Sequence, residues 1–194
     1  LTWNLQGAGP GQSAQGLRIA GFEADFIAVQ ECDDCEGLLP AGHRLAGDGD
    51  AGVVLAYDAE RWTLVADGVV QLGDDDDGWG PRVALWGRFV DGGGKPVVVY
   101  STHWCVPVRS ESDQCTTARQ VSYARQMVAH SRLVAAGAAV VISGDLNVFE
   151  GFRRSPAVLH LTERSGFEMV APESEAPTFA GNDFADRGRI DYVL

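Results

Sequence analysis

The sequence predicts one α/β domain, rich in antiparallel sheet, with its helices outside the sheets. Short apolar runs recur along the chain, bounded by Gly, Pro and Asp. One long helical pattern separates two of them, and Gly92-Gly93-Gly94 joins two others at hairpin spacing. A length of 194 residues fits one domain, 1–194, better than two and is enough to bury a sizeable core. With 45% hydrophobic and 22% charged residues, the balance is that of an ordinary globular protein.

The strand-like runs, in order, are Leu1–Leu5, Phe26–Val29, Gly52–Tyr57, Trp62–Val65, Val83–Val90, Pro96–Ser101, Ala138–Ile142 and Arg189–Leu194. Several are continuously apolar rather than alternating, as in strands covered on both faces. The helical pattern runs from Thr116 to Ala136, with Val121, Ala124, Val128 and Ala135 at helical spacing and Gly137 as the stop. Weaker helices are expected over Gln12–Gly21 and Ser155–Glu163. No repeat, linker or apolar run of membrane-spanning length is visible. The opening Leu1-Thr2-Trp3 reads as the inside of a strand, so the domain is expected to be truncated at this end.

The net charge is −12, and of 15 basic residues all but Lys95 are arginine. An acidic chain gains little from long-range attraction to a polyanion, which weighs against a passive nucleic-acid-binding module. It leaves open an enzyme that meets phosphate at one metal-loaded cleft. Cys32, Cys35, Cys105 and Cys115 supply only one close Cys-x-x-Cys, half of a zinc site. They read more naturally as two sequence-local disulfides, Cys32–Cys35 and Cys105–Cys115, although three pairings are open and so are four reduced thiols. Disulfides favour an exported, secreted protein. The acidic run Asp74–Asp77 reads as a solvated loop rather than a calcium site.

Four apolar runs end in a group able to bind a metal or move a proton. Asn4 follows Leu1-Thr2-Trp3, and Glu31 follows Phe26-Ile27-Ala28-Val29-Gln30. His103 closes the run from Val97, and Asp145 with Asn147 closes the run from Ala138. One such ending is a turn; four suggest strand ends converging on a cleft. In an extended chain Asp145 and Asn147, two apart, point the same way and reach one ligand together. Asp191 lies inside the apolar Arg189–Leu194 run, where a carboxylate is costly unless functional or paired with Arg187 or Arg189. These groups suit phosphodiester cleavage. Asn and Glu oxygens suit a hard cation, an Asp can take a proton from water, and Asn and His can donate to phosphate oxygens.

The motifs "TWNLQG", "AVQE", "STH", "SGDLN" and "RIDYVL" resemble, in this order, those of the endonuclease/exonuclease/phosphatase superfamily, the deoxyribonuclease I-like fold. The resemblance spans residues 2 to 194, and the first motif is similar to the nuclease subunit of cytolethal distending toxins. It implies a four-layer α/β/β/α sandwich with mixed, largely antiparallel sheets and a magnesium-dependent phosphohydrolase, with manganese or calcium as alternative ions. It implies Glu31 as principal metal ligand with Asn4 beside it. Asp145 would orient or deprotonate the attacking water, Asn147 would bind phosphate or metal, and His103 would contact the scissile phosphate. Asp191 would orient a second catalytic His, Asp50 would steady His103, and Arg82 would contact phosphate. The family's Ser-Asp-His motif, expected after "RIDYVL", is not reached before Leu194, so truncation is expected at this end too. The remaining histidines, His43, His130 and His160, read as surface or packing residues.

Trp3, Trp62 and Trp86 read as core. Trp104 and Trp79 read first as packing residues, and Trp104 is also a candidate substrate contact, because both sit where a ring could stack on a base or line a pocket. Arg109, inside the Cys105–Cys115 segment, is a candidate substrate contact, and Arg153-Arg154 could touch phosphate or open a solvated helix. The leading function is a secreted phosphodiesterase, expected to be a monomer, with DNA as substrate, a DNA endonuclease. The alternatives are hydrolysis of lipid or small phosphoesters, a catalytically dead scaffold member of the same fold, and a redox or zinc protein using Cys32 and Cys35.

Overall fold

The computed structural model of the protein describes residues 1–5, 19, 21–32, 35–47, 52–74, 80–106, 115–148, 155–170 and 191–194. Among the described residues nine strands form two sheets. The first contains β1 (Thr2–Asn4), β2 (Phe26–Gln30), β3 (His43–Leu45) and β4 (Val53–Asp58), in the order β1-β2-β4-β3. The second contains β5 (Trp62–Gly73), β6 (Arg82–Asp91), β7 (Pro96–His103), β8 (Ala139–Asp145) and β9 (Asp191–Val193), in sequence order. The β1–β2 and β7–β8 pairs are parallel and the other five antiparallel.

Strand periodicity sorts the side chains into layers. Val53, Leu55 and Tyr57 of β4 meet Leu85 and Phe89 of β6 and Val97 and Val99 of β7 in a core between the sheets. The alternate residues Val54 and Ala56 turn outward, joining Ile27, Val29 and Ile19 on the far face of the first sheet. Val98, Tyr100 and Ile142 turn outward from the second sheet onto two helices, α1 (Thr117–Val134) and α2 (Pro156–Thr162). The continuous apolar runs are therefore strands buried on both faces, as the sequence predicts. The result is the α/β sandwich of the deoxyribonuclease I-like fold.

Thr116 caps α1, its hydroxyl accepting from the Arg119 backbone N–H. The Gly92–Gly94 turn joins β6 to β7, with the Asp91 carboxylate accepting from the N–H groups of Gly93 and Lys95. Two elements differ from the sequence expectation. β5 runs eight residues beyond Val65, its alternate side chains exposed along a sheet edge. β3 is unexpected, because His43-Arg44-Leu45 is too short and polar to read as a strand. Both disulfides form, Cys32–Cys35 and Cys105–Cys115. Apart from Ile19 and Gly21, the expected Gln12–Gly21 helix lies outside the described residues, as do Asp50, Trp79, Arg109, Arg153 and Arg154. Among the described residues no helix is long and apolar enough to cross a membrane.

Candidate active site

Toward one end of the sandwich the inward-facing positions change from apolar to polar. On β7 the inward series is Val97, Val99, Ser101, His103, and on β8 it is Val141, Ser143, Asp145. From the opposing sheet, the buried Gln30 side chain crosses the gap and donates to Ser101 Oγ at 3.3 Å, while accepting from Thr2 Oγ1. The Gln30–Ser101 bond ties the two sheets together beneath the strand ends, and the Thr2 bond fixes the Gln30 amide within its own sheet.

At the mouth of this gap four predicted residues meet. The Asn4 amide nitrogen donates to Glu31 Oε1 at 2.8 Å and to Asp145 Oδ2 at 2.9 Å. His103 Nε2 lies 3.8 Å from each of the same two oxygens. Glu31 and Asn4 come from the first sheet, His103 and Asp145 from the second, where the β7–β8 ladder sets them directly opposite each other. Ligand-capable atoms of Glu31, His103 and Asp145 all lie within 4.8 Å of one another. The Asp145 side chain is 1% exposed and that of Glu31 33%, so the cluster is walled on one side and open to solvent on the other.

Two carboxylates this close repel each other unless positive charge or donors intervene. Asp145 is also buried, a cost offset here by donation from Asn4 and from the Asn147 backbone N–H at 2.8 Å. The donor set, two carboxylates and one imidazole with an amide alongside, fits a hard divalent cation. Glu31 and Asn4 would hold it, with Asp145 alongside. The amide orientation of Asn4 is a choice made by its hydrogen bonds, and a turned amide would offer its oxygen instead.

The backbone is bent to make this cluster. Glu31 (φ 55°) and Asn147 (φ 47°) adopt the left-handed conformation, which non-glycine residues seldom take outside functional or tightly constrained sites. The Gly144 Cα approaches β7 so closely that an added Cβ would lie 2.0 Å from the Thr102 carbonyl oxygen. Only glycine fits there.

The extended-chain argument for Asn147 is corrected by this geometry. β8 ends at Asp145, and Asn147 turns back. Its backbone N–H donates to Asp145 Oδ1 and its amide nitrogen to the Trp104 carbonyl at 2.8 Å. That nitrogen serves the turn. Trp104 is also corrected. It is 0% exposed and packs edge-on against Tyr123 of α1, so its ring offers no face for a base. Arg82 is buried at the start of β6, and the β6–β7 register places it at His103's end of the sheet. The β8–β9 ladder sets Asp191 opposite Asp145. His130 packs against Trp86 and Tyr100, with Nδ1 2.8 Å from Tyr100 Oη, and His43 Nε2 bonds the Ala24 carbonyl at 2.7 Å; both serve packing.

Sequence reading missed Gln30 and Gln120. Gln30 carried a signal, a polar residue at an inward strand position. Gln120 carried none, because a glutamine in a helix reads as surface.

The sequence profile described as the Endonuclease/Exonuclease/phosphatase family matches residues 1–194. No curated protein sequence matches the chain. Among solved structures, the chain is similar to an endonuclease/exonuclease/phosphatase from Bacteroides vulgatus, with TM-score 0.70 and 21% identity over 99% of this chain and 84% of that one. It is similar to a mannosyl-6-phosphatase of Bacteroides thetaiotaomicron, with TM-score 0.69 and 18% identity over 99% and 82%. The human Nocturnin catalytic domain, with bound sulfate, superposes with TM-score 0.71 and 14% identity over 96% and 75%. With a whole-length profile match and a shared fold, the chain belongs to the endonuclease/exonuclease/phosphatase family of phosphoester hydrolases.

Proposed function

We propose that the protein, residues 1–194 acting as one domain, is a divalent-cation-dependent phosphodiesterase that cleaves DNA. The observation that carries the reading is the meeting of Glu31, Asn4, His103 and Asp145 across the two sheets. Asp145 accepts a proton from a water molecule as that water's oxygen bonds to phosphorus and the P–O ester bond breaks; the departing oxygen is protonated from solvent. His103 Nε2 donates to a non-bridging phosphate oxygen, and Arg82 adds charge at the same sheet end. Asp191 and Asp50 are assigned supporting roles, and Arg109 a substrate contact. The cation, magnesium before manganese or calcium, supplies charge neutralisation on the phosphoryl oxygens when bound. The two disulfides support an oxidising, extracellular location.

A second reading, hydrolysis of a small or lipid phosphoester, is favoured by the net charge of −12, which repels a long polyanion. Supercoiled plasmid, sphingomyelin and an inositol phosphate, each offered with magnesium and with EDTA, separate the two. Plasmid nicking that needs magnesium and is lost in Asp145→Ala supports the nuclease. Turnover of a small or lipid phosphoester with an intact plasmid moves the assignment to the second reading.

A further inference from the structure

The site groups on β7 and β8 are followed by two loops that one buried side chain joins. The Gln120 amide nitrogen, on the first turn of α1, lies 3.2 Å from the Cys105 carbonyl and 3.2 Å from the Asn147 carbonyl, with Leu146 O at 3.5 Å. Cys105 is two residues beyond His103 and Asn147 two beyond Asp145, and His103 and Asp145 are partners in the β7–β8 ladder. The amide therefore grips the two loops at equivalent points. Further bonds run between the loops themselves, Trp104 N–H to Asp145 O and Asn147 Nδ2 to Trp104 O. The disulfide from Cys105 to Cys115 fastens the same segment to the start of α1.

We propose that Gln120 is a positioning residue that sets His103 against Asp145 by holding both loops to α1. The inference rests on the hydrolytic reading above and deepens it. A glutamine is suited to this, because one nitrogen carries two hydrogens and can serve two carbonyls at once. Nearby apolar packing of Trp104 and Leu146 fixes the loops in the apolar direction but cannot orient their carbonyls. Loss of the amide frees those carbonyls to rotate, and the strand ends that carry His103 and Asp145 no longer hold the two side chains at a fixed separation. A misplacement on the order of 1 Å at such a site costs about 100-fold in rate.

The test uses Gln120→Met, of equal length but without donors, and Gln120→Asn, which keeps the amide but withdraws its reach. Hydrolysis of bis(p-nitrophenyl) phosphate with magnesium gives kcat and KM separately, beside thermal melting and the NMR signals of the His103 ring and Asn147 amide. The expected result is a kcat lower by roughly 10- to 100-fold, with KM within about threefold, in a variant still folded at the assay temperature. An unchanged kcat in either folded variant overturns the proposal, and so does a loss no larger than the unfolded fraction. Should Gln120→Met not fold, Gln120→Asn decides by the same criteria. Should the wild type hydrolyse no phosphoester, the hydrolytic reading has failed. The signals then decide alone: shifted His103 and Asn147 signals sustain the positioning role, and unmoved signals overturn it.

Discussion

Asn4 and Asp145 are 141 residues apart in sequence, yet the Asn4 amide nitrogen is 2.9 Å from Asp145 Oδ2 and bridges it to Glu31. A neutral amide thus holds together two carboxylates from different sheets. Asn4→Leu should lower hydrolysis at least about tenfold and, with no cation present, cost about 1–3 kcal/mol of stability through the lost donors. Urea denaturation in EDTA, beside an activity assay, checks both. Unchanged stability and rate would show that the bridge is incidental.

Gly144 admits no side chain. An added methyl would meet the Thr102 carbonyl at 2.0 Å, and φ is 146°. Gly144→Ala should destabilise the fold by about 3 kcal/mol or more, since backbone rather than a flexible side chain must yield. A melting temperature equal to that of the wild type would contradict the close β7–β8 approach.

The disulfides close loops of different length, with separations of 10 residues for Cys105–Cys115 and 3 for Cys32–Cys35. On the chain-entropy account the longer loop is worth about 3 kcal/mol and the shorter about 2. Paired Cys→Ser variants should therefore rank in that order by chemical denaturation. The Cys105–Cys115 variant should also lose activity beyond its unfolded fraction, because Cys105 follows His103 by two residues. The reverse ranking would count against the entropic reading.

His130 is pressed against Trp86 and Tyr100, and burial holds its imidazole below the ordinary value of 6.5. The His160 imidazole is lowered too, by burial first and then by Arg125, Arg164 and Arg132. The unfolded chain takes up protons near pH 6.5 that the folded chain resists. Stability is then at its full level above that pH and falls as pH drops through 6.5 toward the lowered folded values. Denaturation midpoints between pH 7.5 and 5 should decline, and His130→Gln should flatten the slope. An equal slope in that variant would remove His130 from the account.

Much of the fold and the four meeting residues were legible in the sequence. Apolar runs buried on both faces announce themselves, and a Glu, His or Asp closing such a run is conspicuous because burying it is costly. β3 was hidden because His43-Arg44-Leu45 carries no periodicity, and its strand order comes from pairing with β4. The far half of β5 was hidden because Asp67-Gly68 interrupts the pattern, while pairing with β6 supplies the order. The direction of Asn147 was misjudged because a strand was extended past its end, where a left-handed residue begins a turn. Trp104 was misjudged because its place next to His103 in sequence says nothing of which face it takes; alternation sends it into the α1 side. Gln120 was invisible because its partners are carbonyls of distant loops.

The central claim, that side chains of two sheets form one cation-dependent hydrolytic site, is tested most directly through Glu31, the more open of the two carboxylates. The measurement is the rate of phosphodiester cleavage against magnesium concentration for wild type and Glu31→Gln, with magnesium binding followed by calorimetry. The account predicts no cleavage in EDTA, and for Glu31→Gln a half-saturating magnesium concentration raised by about tenfold or more, with binding weakened in parallel. Cleavage that persists in EDTA, or a Glu31→Gln curve superimposable on the wild type, would contradict it.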